Sequence, residues 1–419
     1  MSNNLNNRRP QQESPIETEM SQTAPAKKIR PLLKVGITQG DTNGVGYELI
    51  FKTFAENTMF EICTPVVYGS TKIAQTHRKA LNLNVPFKTI GQAEQAEEGT
   101  LSLINCLDDA KVNFGQIEKE AGHAAFIALE RATADLRAGR IDVLVTAPIC
   151  KSAIQSEAFP FSGHTEYLAD RLKKEEGEQP LMILTNEMMR IALVTTHLPL
   201  SDVSKVINKE IIVDKIKSFY KTLRRDFLLS NPRIAVLGLN PHNGDEGVMG
   251  EEESTHIIPA IQEMAEAGIP CYGPYAADGF FGSAAYHHFD GVLAMYHDQG
   301  LAPFKALSMD DGVNFTAGLS YVRTSPDHGT AFDIAGKGEA SENSIRQAIY
   351  LAIDIYLHRA ADDLAHENPL PKLYHEKRED SERQRHTLPE KSSEANTGKH
   401  APKENPAPSQ PSAEETNQK

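Results

Sequence analysis

Three histidines stand just after apolar runs: His197 after "MRIALVTT", His242 after "PRIAVLGLNP" and His297 after "FDGVLAMY". Neutral imidazole is a common ligand of divalent ions, and three imidazoles that leave a coordination position open make a catalytic site. One histidine at such a place is most simply a hydrogen-bonded or surface residue. Three at equivalent places point to metal chemistry. A fourth, His164 in "FSGHTEYL", lies where a loop enters an amphipathic stretch. Lys305, Asn314 and Arg323 follow His297 closely, and two cations with an amide can hold a phosphate or carboxylate. The chain contains no HExxH pair and no H-x-E…PCxxC set, which excludes the familiar zinc hydrolase and deaminase arrangements.

These side chains can meet only if the elements before them end side by side. "LLKVGITQG", "TPVVYGS", "IDVLVTAPI", "PLMILT", "MRIALVTTH", "PRIAVLGLN" and "FDGVLAMYH" are short, nearly continuous apolar runs, as in strands buried on both faces. Longer amphipathic stretches separate them. "AGHAAFIALERATADLRAG" predicts a helix closed by Gly139, and "ASENSIRQAIYLAIDIYLHRAADDL" one with Ser341 and Ser344 as candidate caps. Strand–helix alternation implies an α/β fold with a largely parallel sheet, whose ligand sites lie beyond the carboxyl ends of strands. On that rule the three histidines share one end of the sheet. "GDTNGVGYE", Gly40 to Glu48, is a glycine-rich turn opening a helix; it fits neither GxGxxG nor the Walker loop.

The chain has 419 residues, 40% hydrophobic, and a net charge of −14. That length supports one large domain or two. The acidic balance argues against nucleic acid or an anionic membrane as partner. No apolar run reaches the roughly 18 residues of a membrane span. Cys63, Cys106, Cys150 and Cys271 are scattered and form no CxxC, which suits free thiols in a reducing cytoplasm. Residues 1–30 and 369–419 carry almost nothing to bury and are expected to be disordered, leaving a folded unit over 31–368.

Several stretches together resemble the 4-hydroxythreonine-4-phosphate dehydrogenase family of vitamin B6 biosynthesis: "GITQGDTNGVGYE", "TAPICKSAI", "FSGHTEYLA", "LVTTHLPL", "LGLNPHNGDEGVMGEEE", "VLAMYHDQGLAPFK" and "GVNFTAGLSYVRTSPDHGTAFDIAGKGEAS". "HGTAFDIAGKG" also looks like the adenosine-binding stretch of the isocitrate and isopropylmalate dehydrogenases. The resemblance implies two α/β domains with largely parallel sheets and a cleft between them. Residues 31–150 plus 315–368 would form the first, on the cofactor side, and 151–314 the second, carrying metal, substrate and dimer contacts. It implies a homodimer with shared sites. His197, His242 and His297 match metal ligands (zinc, magnesium or cobalt), with His297 reaching in from the neighbouring subunit. His164, Thr165, Lys305, Asn314 and Arg323 match substrate contacts. His328, Gly329, Thr330, Ala331, Asp333 and Gly336 match an NAD or NADP site.

The implied reaction oxidises 4-phosphooxy-L-threonine to 2-amino-3-oxo-4-phosphooxybutanoate, which decarboxylates to 3-amino-2-oxopropyl phosphate. Lys305, Asp298 and Lys151 are candidate proton acceptors, and the sequence does not rank them. Two alternatives share the motifs or the fold: a sister dehydrogenase of 4-phosphothreonate or 4-phosphoerythronate, and a phosphate acyltransferase. The three histidines argue against the latter. The glycine-rich turn departs from the family's "GDPAGIGPE", with Thr42, Asn43 and Tyr47 at the changed positions. Its glycines, Asp41 and Glu48 remain, so the turn should survive.

Overall fold

The computed structural model describes residues 31–108, 111–174, 178–308 and 310–369. The expected disordered ends lie outside the described residues, Pro369 apart. One compact unit ends at His366; of the unit that begins at Glu367, only residues 367–369 are described.

Twelve strands join in one sheet: β1 (Lys34–Thr38), β2 (Thr64–Gly69), β3 (Lys88–Ile90), β4 (Ser102–Asn105), β5 (Val143–Thr146), β6 (Leu181–Thr185), β7 (Arg190–Leu193), β8 (Ile234–Leu237), β9 (Cys271–Tyr275), β10 (Gly291–Ala294), β11 (Val313–Ala317) and β12 (Arg323–Pro326). Their order is β3-β4-β2-β1-β5-β12-β11-β6-β7-β10-β8-β9. The first six run parallel, as do β7, β10, β8 and β9. Between these blocks β12–β11, β11–β6 and β6–β7 pair antiparallel. Three reversals make the two parallel blocks run in opposite senses. Carboxyl ends of β1, β5 and β12 therefore point away from those of β7, β8 and β10.

β1, β2, β5, β7, β8 and β10 are buried at all or nearly all positions, as their continuous Val, Ile and Leu predict. Helices cover them. Lys119–Arg137 ends before Gly139, whose φ of 67° is the left-handed stop its sequence predicts. Lys209–Arg225 starts at Asn208, whose side chain accepts from Ile211 N at 2.9 Å. In the last helix, Asn343–Glu367, residues 345, 348, 349, 352 and 355 form a buried stripe at helical spacing. Of its two candidate caps, Ser341 accepts from Asn343 N, whereas Ser344 is buried inside the helix and donates to Gly312 O at 2.6 Å.

The changed residues of the glycine-rich turn are built into the fold. The Tyr47 hydroxyl lies 3.0 Å from both Gln39 Oε1 and Ser70 O. Asn43 donates to Gln116 O and Glu118 Oε2 and accepts from Asn113 N. It thereby ties residues 113–118 to the turn.

Arg359 joins the last helix to the end of Lys209–Arg225. Its Nε donates to Asp226 Oδ1 at 2.7 Å and Nη2 to Oδ2 at 2.9 Å, and Nη1 donates to Leu319 O and Ser320 O. Both partners are buried. Asp226→Asn would leave this guanidinium buried without its counter-charge, a loss of about 3–5 kcal/mol. We expect a clear fall in melting temperature, read by calorimetry, with turnover per folded molecule unchanged.

Candidate active site

A cavity of about 520 Å³ lies over one face of the sheet where the two blocks meet. Met182 on β6, Asn314 on β11 and Arg323 and Ser325 on β12 share that face by register, and Thr146 ends β5 beside them. The walls include Lys151, His164, Thr165, His197, His297, Asp298, Lys305, His328 and Gly329. All the predicted substrate contacts, all three candidate bases and two of the three predicted metal ligands therefore meet. The site lies on the sheet's face at the reversal, not beyond one common edge of strand ends.

Arg323 dominates the floor. It is 1% exposed, yet its guanidinium donates only to hydroxyls: Nε to Thr146 Oγ1 at 3.1 Å, Nη1 to Thr316 Oγ1 at 3.0 Å and Nη2 to Thr146 Oγ1. Burial pulls its pKa down to about 9 against the opposing field of Glu166. Burial, then the charges of Arg323 and Lys151, hold the His164 imidazole well below the usual range, so it is neutral. Its Nε2 is buried without a partner, as are His328 Nε2 and Asn314 Oδ1. Lys305 Nζ donates to Asp327 O at 2.7 Å.

The histidine pair follows from register. β7 and β10 are neighbours with Leu193 opposite Ala294, and the pairing continues through Val194 and Thr195. His197 and His297 follow within a few residues, and their rings stand 5.9 Å apart. His197 Nδ1 lies 2.9 Å from Glu166 Oε1, and His297 Nδ1 lies 2.7 Å from Asp298 Oδ1. A carboxylate only accepts, so each Nδ1 donates, and in the neutral imidazole that leaves the lone pair on Nε2. Metal-binding imidazoles are commonly oriented this way, so the donor set fits a divalent ion. It is incomplete in one chain: among the described residues no group of three His, Cys, Asp or Glu is placed to hold a metal.

The third histidine is elsewhere. His242 is exposed and lines a separate cavity of about 500 Å³ with Asn240, Asp278, Tyr296, Gln299 and Pro303. Helix His297–Leu307 is the wall between the two cavities; residues 297, 298, 301, 302 and 305 face the first, and 299 and 303 the second. His297 was expected to reach into a neighbouring subunit's site; in this chain its ring stands beside that of His197. His297 shares a cavity with His197 and His164 of its own chain, because β7 and β10 are adjacent. His242 is the one apart, because β8 lies across β10 and continues into a different loop. Glu166, which anchors His197, was missed in the sequence. Its signal was its place in "GHTEYL", where it could equally have been a helix-surface acid.

The expected cofactor residues begin at the cavity rim with His328 and Gly329. Thr330, Ala331, Asp333 and Gly336 continue along a loop packed on the glycine-rich turn. Val45 N donates to Thr330 O at 3.1 Å, and a side chain at Gly44 would strike that carbonyl. Glu48 accepts from Ala340 N at 2.8 Å, and Lys52 Nζ donates to Gly338 O and Ala340 O. Asp333 is exposed. The glycine-rich turn and the "HGTAFDIAGKG" stretch therefore form one unit.

His77 locks that unit from beneath. Its Nε2 donates to Thr42 O at 2.8 Å, and its ring packs edge-on against Phe114 at 4.8 Å. Burial pulls its pKa down to about 4. The unfolded chain would protonate near pH 6.5, so His77 contributes stability above that pH and loses it as pH falls toward 4. The span is on the order of 3 kcal/mol. His77→Gln should flatten the fall in melting temperature between pH 6.5 and 4, measured by scanning calorimetry.

Fold and site together define an α/β protein with a cavity floored by a buried guanidinium beside a pair of carboxylate-anchored imidazoles. The family model for "Pyridoxal phosphate biosynthetic protein PdxA" matches residues 61–352, and the chain belongs to that family. It is 58% identical over 352 residues to a 4-hydroxythreonine-4-phosphate dehydrogenase of Bacteroides thetaiotaomicron, covering 84% of this chain and 96% of the relative. A D-threonate 4-phosphate dehydrogenase of Cupriavidus necator is 38% identical over 330 residues, covering 78% and 98%. The crystal structure of 4-hydroxythreonine-4-phosphate dehydrogenase from Klebsiella pneumoniae superposes with a TM-score of 0.67 at 34% identity, covering 78% of this chain and 98% of that one.

Proposed function

We propose that this chain is an NAD(P)- and divalent-metal-dependent dehydrogenase that oxidises 4-phosphooxy-L-threonine to 2-amino-3-oxo-4-phosphooxybutanoate, which loses CO2 to give 3-amino-2-oxopropyl phosphate. The observation that carries this reading is Arg323, a buried guanidinium held only by neutral hydroxyls in a cavity shared with Lys305 and two anchored imidazoles. Such a cation calls for an anionic ligand. We read the two ends of the sheet as two domains, 31–150 plus 315–368 and 151–314, with the cavity between them.

Arg323, Lys305, Asn314, His164 and Thr165 bind and orient the phosphorylated substrate. Neutral His164 can hydrogen-bond it without repelling the neighbouring cations. His197 and His297 would hold the metal through Nε2, joined by His242 of a second copy of the chain. A divalent ion held there would supply Lewis-acid polarisation at the substrate's secondary hydroxyl, and NAD(P) would supply the hydride acceptor. Of the candidate bases, Asp298 is engaged with His297 and Lys305 with Asp327 O. Lys151, opening its helix at the cavity wall, is the residue we assign to take the hydroxyl proton, which it can do only after its ammonium has given up its own proton to solvent. The 328–338 loop would take the adenosine half of the cofactor.

The deciding assay follows nicotinamide reduction with cobalt, magnesium or zinc and either 4-phosphooxy-L-threonine or 4-phospho-D-threonate. Turnover of the first should exceed that of the second; the reverse would assign the chain to the sister activity. Arg323→Met should raise KM for the phosphorylated substrate roughly tenfold to over a hundredfold, the loss of 1.5–3 kcal/mol that a charged hydrogen bond contributes.

The shared site predicts a specific complementation. His242→Ala and His164→Ala should each be nearly inactive, and refolding them together should restore about a quarter of wild-type activity. Half the dimers are mixed, and each mixed dimer has one site free of both lesions. His297→Ala with His164→Ala should restore nothing, because both residues serve the site from one chain.

A further inference from the structure

Glu166 does not itself line the cavity, yet it lies between His197 and the Arg323–Lys151 cations. It is the third residue of helix His164–Leu172. His164 lines the cavity, and a step of two residues turns about 200° around a helix, which carries Glu166 away from it to the His197 ring. Its Oε1 accepts a hydrogen bond from His197 Nδ1 at 2.9 Å, while Oε2 is buried without a partner. It interacts electrostatically with Lys151, and it opposes the charge of Arg323, whose hydrogen bonds all go to threonine hydroxyls.

We propose that Glu166 is a positioning residue that couples the anion floor to the imidazole pair. It holds His197 in the Nδ1–H tautomer, leaving Nε2 free, and its negative charge is shared between that imidazole and the Arg323–Lys151 cations. A free imidazole favours the proton on Nε2, which would block the ligating lone pair. The carboxylate reverses that preference and makes Nε2 more basic. The same charge repels an anion approaching Arg323. Removing it must therefore shift the two binding functions in opposite directions. The proposal rests on the metal and substrate reading above.

The test uses the full-length chain stripped of metal by chelation. Nitrogen-15 histidine labelling, with His197 assigned through His197→Gln, reads the tautomer by NMR without any ligand. His197 should carry its proton on Nδ1 in the wild type and shift toward Nε2–H in Glu166→Ala. Calorimetric titration with cobalt(II) should give affinities about 10- to 100-fold weaker in Glu166→Gln and Glu166→Ala. Inorganic phosphate should bind severalfold more tightly to Glu166→Gln. A merely structural lesion would weaken both ligands and lower the melting temperature. An unchanged tautomer in Glu166→Ala, or cobalt affinity within twofold of wild type in both variants, overturns the proposal, as does weaker phosphate binding. Should Glu166→Ala not fold, the opposite shifts in Glu166→Gln decide alone. If even the wild type binds no cobalt, the metal reading falls, and the tautomer and phosphate results still decide the role of Glu166.

Discussion

Arg323 is buried at the middle of the sheet, and much of the surrounding structure can be understood as making that tolerable. A guanidinium out of water needs hydrogen bonds on all its edges, and a carboxylate in contact would compete with any anionic ligand. The fold supplies hydroxyls instead. Thr146 ends β5 and Thr316 lies on β11, one strand to either side of β12, so their side chains reach Nε and both terminal nitrogens. Neutral partners stabilise the cation without quenching it. The nearby carboxylate, Glu166, is turned to His197. The site is thus poised for a negative group, at a cost in stability that apolar packing elsewhere must offset.

The reversal of strand sense explains the rest of the arrangement. Had all twelve strands run one way, the residues after β5, β7 and β10 would line one edge, far from the strand faces. The antiparallel trio β12–β11–β6 turns the second block over. Residues following β7 and β10 then come to the same cavity as Thr146 and Lys151 from the other block. Helix His297–Leu307 closes that cavity and, by its thickness alone, keeps the His242 loop on its far side. The three histidines of this chain therefore divide between two cavities.

How much of this was legible in the sequence depended on which face each strand buries. β1, β2, β5, β7, β8 and β10 are apolar at nearly every position, and their runs were plain. β11, "VNFTA", and β12, "RTSP", were not, because Asn314, Thr316, Arg323 and Ser325 line or support the cavity and break the apolar pattern. The strands that build the site are hidden by the polarity the site requires. Types and order still exposed Lys305, Asn314 and Arg323 as anion-binding candidates. Spacing could not reveal the sense of the strands, so it placed the three histidines at one end without showing that they divide between two cavities. Glu166 stayed invisible because an acid in a first helical turn already has an ordinary explanation in the helix dipole.

The loop carrying His242 shows that its separation is built, not incidental. His242, Asn243, Asp245 and Glu246 all have φ between 46° and 56°, with Gly244 and Gly247 also positive. Left-handed backbone costs roughly 1–2 kcal/mol at each non-glycine residue, so this turn would relax if nothing held it. Buried Glu253 holds its entrance. One oxygen accepts from Leu239 N and Asn240 N, both at 2.7 Å, and the other from Asn240 Nδ2 at 3.0 Å. Asn243 Nδ2 pins the turn to Pro274 O at 2.9 Å. A buried carboxylate receiving three hydrogen bonds can offset strain of that size. The consequence is an exposed imidazole carried on a stiff backbone, with little backbone entropy left to lose on meeting a partner. An exposed histidine on a flexible loop would lose backbone freedom on binding; this turn has already lost it in folding.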